Sequence, residues 1–344
     1  MKRSVLVATA LAAAAALTIS ACSSSNNNTG STAGDTTTTA AATSGAGDNA
    51  QRYAFTFVQG VAGDAFYITM SCGIQDEAKK IGNIDVNIQG AQKWDVTLQN
   101  PIIQSVTAAK PAAMLVAPND LKASRAPIKA AMDAGIKVVL VDTTLDDPSG
   151  AVSEISSDNV AGGAEAFKAI QELVPGGGKV LVINTIAGIS TTDQRQQGFA
   201  DAAKADPKFN YLGTQFDQDD ASIAAQVTTA ALQKDPDIVG IFATNLFSAQ
   251  GVATAIKQSG KQGKIVVVGF DAGPDQVTAL RDGTVQALIA QQPYSIGTNA
   301  VDQAWAALQG QPTQAKIGTG FTILTKDNLD TAEGQAALYK AGCS

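Results

Sequence analysis

From Tyr53 onward, short apolar or β-branched runs alternate with Ala-rich amphipathic stretches of helix length. The runs predict strands over Ala54–Gln59, Val86–Gln89, Ala113–Val116, Lys137–Asp142, Lys179–Asn184, Tyr211–Phe216, Ile238–Thr244, Ile265–Phe270 and Ala287–Gln291. Between them the pattern predicts helices over Phe66–Ile81, Val96–Ala109, Arg125–Ala134, Asn159–Leu173, Thr191–Ala205, Ser222–Lys234, Phe247–Gln258, Pro274–Arg281 and Ile296–Leu308. Alternation of this kind gives an α/β fold of parallel sheets with helices on both faces. The segment Leu145–Ser157, which carries Asp146-Asp147-Pro148-Ser149-Gly150, breaks the rhythm, and two doubly wound sheets are expected. Ligands of such sheets sit beyond the carboxyl ends of the strands. That places Gln59, Asp142, Asn245 and Asp271 where ligands bind.

The chain before Tyr53 follows other rules. Lys2 and Arg3 precede an apolar segment, Val5 to Ile19, that is short and Ala-rich for a membrane span. Ile19-Ser20-Ala21-Cys22 then supplies the cleavage pattern of a bacterial lipoprotein. Residues 1–21 are read as a signal peptide, with Cys22 as the lipidated mature N-terminus; an ordinary signal peptide with an incidental cysteine is the alternative. Residues 22–51 are nearly all Ser, Asn, Thr, Gly, Ala and Asp, too polar to offset their ordering entropy, and are expected to form a disordered tether. The protein is therefore expected outside the cytoplasm, anchored to the bacterial membrane.

Composition narrows the chemistry. The chain of 344 residues is 45% hydrophobic, carries a net charge of −7 and has no histidine. The charge argues against a nucleic-acid partner, and the missing histidine removes the commonest catalytic base and transition-metal ligand. Cysteines at 22, 72 and 343 have no zinc-site spacing. Pro175-Gly176-Gly177-Gly178-Lys179 precedes a strand and lacks the following Ser or Thr, so it reads as a turn and not a phosphate loop. Asp217-Gln218-Asp219-Asp220 lacks the glycine turn and distant glutamate of a calcium loop. A helix cap at Asp219 or Asp220 is the better reading. Neither metal nor cofactor is needed. On composition alone, Asp142 and Asp271 stand open as glycosidase carboxylates, as caps or partners of a nearby arginine, or as acceptors for the hydroxyls of a neutral ligand.

A set of blocks separates these readings. Asp64-Ala65-Phe66-Tyr67 followed by Gly73 and Glu77-Ala78, Ser157-Asp158-Asn159-Val160-Ala161-Gly162-Gly163, Gln197-Gly198-Phe199, Phe242-Ala243-Thr244-Asn245, Val268-Gly269-Phe270-Asp271 and Ile289-Ala290-Gln291-Gln292-Pro293 resemble the ribose-binding protein family. These are solute-binding proteins of bacterial ABC importers, and the resemblance runs from about Tyr53 to Thr325 in the family's order. It implies two similar lobes, residues 52–157 with 292–319 and residues 158–291 with 320–330, followed by a tail, 331–344. Three strand crossings would join the lobes near Ser157–Asp158, Gln291–Gln292 and Thr319–Gly320. The second lobe would regain a strand near Phe321–Leu324.

By the same resemblance Phe66 and Tyr67 match aromatics near the sugar, although ordinary helix core is the alternative for either. Asp142, Asn245, Asp271 and Gln291 match residues that bond sugar hydroxyls, and Arg195 matches an arginine that donates to sugar oxygens. Several positions depart from the family. Thr143 replaces a second arginine, Ala117 an asparagine (with Asn119 and Asp120 close by), and Asp64 another asparagine. Gly60 takes the place of a serine, leaving Gln59 as a neighbouring candidate. Asp219, or Gln218 if the alignment slips, stands where a second stacking phenylalanine is expected. The cleft thereby gains carboxylate and loses an arginine and an aromatic wall. That disfavours ribose itself and acidic sugars, and favours a linear polyol or a differently oriented neutral monosaccharide.

The expected protein is thus a monomeric binding protein, not an enzyme, that closes on its ligand and delivers it to a permease coupled to an ATPase. A receptor for a small signal is the runner-up, and a glycosidase using Asp142 and Asp271 ranks below it. With Cys22 lipidated, Cys72 and Cys343 remain as a pair in an oxidising compartment. A Cys72–Cys343 disulfide is expected, the tail, with Leu329 and a helix-like Ala336–Lys340, folding back onto the first helix; a buried Cys72 with a disordered tail is the alternative.

Overall fold

The computed structural model describes residues 51–343. The signal peptide, the lipidation site Cys22 and the tether expected over 22–51 lie outside the described residues, save for Gln51. Two six-stranded sheets share one strand plan. The first, in spatial order β2-β1-β3-β4-β5-β11, consists of β1 (Tyr53–Gln59), β2 (Ile84–Gly90), β3 (Ala113–Val116), β4 (Lys137–Val141), β5 (Ser153–Ser157) and β11 (Lys316–Thr319). The second, in order β7-β6-β8-β9-β10-β12, consists of β6 (Gly178–Asn184), β7 (Phe209–Phe216), β8 (Ile238–Ala243), β9 (Val266–Phe270), β10 (Ala287–Gln291) and β12 (Phe321–Leu324). Only β12 runs antiparallel to its neighbour, β10; the other pairings among the described strands are parallel.

The helices are α1 (Ala65–Ile81), α2 (Val96–Ala109), α3 (Arg125–Asp133), α4 (Asn159–Leu173), α5 (Ser190–Ala205), α6 (Ala221–Lys234), α7 (Leu246–Gln258), α8 (Pro274–Arg281), α9 (Pro293–Leu308) and α10 (Ala332–Ala336). The chain passes between sheets after β5, after β10 and after β11, so α9 and β11 return to the first lobe and β12 to the second. Strand interiors such as Ala113–Val116 and Ala287–Gln291 are buried throughout, as strands covered by helices on both faces must be.

Two features depart from the hydrophobic pattern, and a third settles an alternative it left open. β5 (S-E-I-S-S) and β11 (K-I-G-T) are strands despite polar sequences, because ladder bonds to β4 and to each other hold them. The expected helix at Ala336–Lys340 instead lies at Ala332–Ala336, where the Thr331 hydroxyl accepts from Gly334 N and caps it. The acidic segment after β7 divides its labour. Asp220 caps α6, its Oδ1 accepting from Ser222 N and Ile223 N, and Asp219 is left free of that task. Lys179, beside the glycine turn, pairs with Asp235 and Asp237.

Helix pairs pack closely at equivalent places in the two lobes. A Cβ added at Gly73 of α1 would lie 2.2 Å from Tyr294 O at the start of α9. A Cβ at Gly163 of α4 would lie 2.0 Å from the carbonyl oxygen of Arg195 on α5, and one at Gly198 would lie 1.9 Å from Val160 O. Backbone against backbone cannot yield as a flexible side chain does. Gly163→Ala is therefore expected to cost about 1–3 kcal/mol by urea unfolding, and to displace the helix that carries Arg195.

Candidate functional site

Asp142 and Asp271 occupy equivalent positions, each directly after its strand, and both adopt the left-handed conformation, with φ of 62° and 80°. For a residue with a Cβ this backbone is strained, at a cost of about 1–3 kcal/mol each. Each is held by one ladder bond, Asp142 N to Ile155 O at 2.8 Å and Asp271 N to Ile289 O at 2.9 Å. The turn directs both carboxylates into one cavity between the lobes. The cavity has a volume of about 40 Å³ and is lined by Asp64, Phe66, Tyr67, Trp94, Asp142, Thr185, Ile189, Thr191, Thr192, Arg195, Asp219, Asn245, Asp271 and Gln291. It lies beside a wider cleft mouth of about 810 Å³, which shares Trp94, Ile189 and Asp219.

The buried acids find neutral donors. Tyr67 Oη donates to Asp142 Oδ2 at 2.6 Å. Gln291 Nε2 donates to Asp271 Oδ1 at 2.7 Å, and Tyr339 Oη donates to the same oxygen at 3.0 Å. Asn245 caps α7 through its Oδ1, which accepts from Ser248 N, and its Nδ2 donates to Asp219 Oδ1 at 2.5 Å. Asp64 caps α1, accepting from Phe66 N at 2.8 Å. Arg195 lies 3.9 Å over the Phe270 ring. Its Nε donates to Asn159 Oδ1 and its Nη1 to Thr244 O, both at 2.8 Å. Among the described residues lining the cavity it is the only cation. No grouping of three or more potential metal ligands occurs among the described residues.

Nine of the eleven ligand-site residues expected from the sequence meet in this cavity. Two do not. Gln59 is turned onto α1, donating to Ser71 Oγ at 3.1 Å, since successive side chains of a strand face opposite ways. Thr143 is not among the lining residues, and its hydroxyl donates to Pro118 O at 2.8 Å.

Trp94, Thr185, Thr191 and Thr192 line the cavity without having been singled out from the sequence. Trp94 changes the picture most. It stacks on Tyr67 with ring centroids 6.3 Å apart, and its indole Nε1 donates to Asn119 O. This further aromatic comes from the first-lobe loop before α2, a position without periodic signal. Phe66 meets Tyr67 edge-on at 5.1 Å.

Burial raises the carboxyl pKa values across the site. Asp64 is pushed up to about 7 by burial and then by the charge of Asp271. Asp142 is pushed up to about 6 by burial, against the pull of Arg195 and the Tyr67 hydrogen bond. Asp219 and Asp271 are also raised, chiefly by burial. A group whose folded pKa lies above its unfolded value binds more protons folded, so it adds stability as pH falls through the folded pKa. The melting temperature of the ligand-free protein is therefore expected to rise by several degrees from pH 8 to pH 5.5 in a thermal scan. Asp64→Asn, which keeps a capping side chain, should flatten that rise.

Comparison with known proteins agrees with this geometry. The periplasmic binding protein domain matches residues 55–312. The ribose import binding protein of Salmonella typhimurium is 34% identical over 261 residues, covering 76% of this chain and 86% of that protein. Among solved structures, an ABC transporter solute-binding protein from Agrobacterium vitis bound with α-D-tagatopyranose superimposes with a TM-score of 0.82 at 38% identity. The match covers 84% of this chain and all of that one. A second A. vitis solute-binding protein, with bound D-fucose, gives 0.80 at 30% identity over 83% of this chain and all of that one. The two-lobed chain, with its acids facing each other across a cleft, belongs to the periplasmic binding protein family, as an extracytoplasmic solute-binding protein of ABC importers and not an enzyme.

Proposed function

We propose that the protein captures one neutral monosaccharide or polyol between its closing lobes and presents it to an ABC permease, with Cys22 anchoring a monomer to the membrane through lipid. The observation that carries this reading is the equivalence of Asp142 and Asp271, which reach one cavity from opposite lobes. Tyr67 occupies Asp142 Oδ2, and Gln291 with Tyr339 occupies Asp271 Oδ1, so each acid can offer its other oxygen to a ligand hydroxyl. Arg195, Asn245 and Gln291 supply donors for ring and hydroxyl oxygens, and Phe66 with Trp94 covers the C–H surface. Relatives whose ligands are named, tagatopyranose and fucose, hold neutral monosaccharides. Four acids against one arginine oppose an anionic sugar.

Contacts from both lobes make closure favourable only with ligand present, because a ligand shifts a two-state hinge by its differential affinity. The hinge is wired to the site. Ser157, Gln291 and Thr319 end the strands at the three crossings, and Ser157 Oγ bonds Gln291 Oε1 at 2.8 Å and lies 3.3 Å from Thr319 Oγ1. Gln291 then passes the chain of bonds to Asp271. Calorimetric titration against tagatose, fucose, ribose, allose and linear polyols tests the reading. One neutral compound is expected to bind saturably, and Asp271→Asn or Asp142→Asn to weaken it about 10- to 100-fold. Saturable binding of none would overturn it.

A further inference from the structure

The segment after β12 crosses the molecule where the three strand connections already do. Asn328 Nδ2 donates to Ile323 O, Leu329 is buried in the core, and Asp330 pairs with Arg281 at 2.9 Å, which fixes the segment's start to the second lobe. Tyr339 keeps that allegiance, its N donating to Ala272 O at 3.1 Å. One residue later the chain changes sides. Lys340 N donates to Thr69 Oγ1 of α1 at 2.7 Å, and Lys340 Nζ lies 5.1 Å from the Tyr294 ring of α9. Cys343 then joins Cys72 of α1 in a disulfide with Cα atoms 5.2 Å apart.

Tyr339 sits at the change of side. Its ring packs 5.9 Å from Phe66 of the first lobe. Its hydroxyl donates to Asp271 Oδ1 and accepts from Gln291 N at 2.9 Å, both in the second lobe. The residue is only 6% exposed. One phenol thus fixes a binding carboxylate, a hinge residue and an aromatic of the opposite lobe.

We infer that the segment 328–343 is a fourth, covalently closed connection between the lobes, and that Tyr339 is a positioning residue for the ligand-binding carboxylate Asp271. The inference rests on the sugar-binding reading for the role of Asp271, and on geometry alone for the connection. A three-strand hinge lets the lobes swing apart. A strap fixed in one lobe and bonded covalently to the other limits that swing, so less ordering is left for the ligand to drive. Tyr339 holds one Asp271 oxygen and leaves the other to the ligand.

The test uses the full chain in two variants. Cys72→Ala/Cys343→Ser removes the covalent closure. Its ligand-free form is expected to show a larger radius of gyration than wild type by small-angle X-ray scattering, with sugar affinity about 3- to 10-fold weaker. An unchanged radius of gyration would overturn the strap, and this arm needs no ligand. Tyr339→Phe keeps the ring and removes the hydroxyl. It is expected to weaken sugar binding by a similar factor and to move the acid limb of the affinity–pH profile to higher pH. That shift follows because Asp271 loses a donor while Arg195, Gln291, Asp64, Asp142 and Asp219 still face it. A merely structural tyrosine would leave the pH profile in place, and an unchanged profile would overturn the positioning role. If wild type itself bound no sugar, the functional reading would fail while the scattering arm still decided the strap.

Discussion

Burying four carboxylates with one arginine between two lobes is the constraint around which the rest of the molecule is arranged. Ionised acids that close together and that dry are costly unless donors meet them. Tyr67, Tyr339, Gln291 and Asn245 each donate to one of them. Burial and mutual repulsion still hold the Asp64 carboxyl near pH 7. On the sugar-binding reading, the hydroxyls of a ligand add further donors to these acids.

The same constraint explains the backbone. Asp142 and Asp271 pay strain to turn inward immediately after β4 and β9, and in both lobes the neighbouring strand steadies the turn with a bond to the acid's own N–H. Glycines at the α1–α9 and α4–α5 contacts let the helices behind the site approach to backbone distance, and the second contact lies at Arg195 itself. Position in the fold, packing and charge therefore converge on the same few atoms.

Much of this was legible in the sequence, and for identifiable reasons. Strands covered on both faces read as apolar runs, so the ends that carry Asp142, Asn245 and Asp271 stood out where a run stopped on a polar residue, while Gln291 was reached through the family resemblance. β5 and β11 did not, because polar strands near the crossings carry no such contrast. Gln59 had the right place on its strand but faces the helix, a matter of alternation that a strand's end does not reveal. Trp94 and Tyr339 were invisible for a different cause. They enter from a loop and from the far end of the chain, and only tertiary contact brings them to the acids.

The central claim is that Asp142 and Asp271 clamp one neutral ligand from opposite lobes. A crystal structure of the protein with the tightest-binding sugar or polyol tests it most directly. A single molecule is expected whose hydroxyls donate to both carboxylates, with Arg195 donating to one of its oxygens and Trp94 or Phe66 against its C–H face. A ligand bound in the outer cleft, touching neither carboxylate, or touching only one lobe in a closed protein, would contradict it.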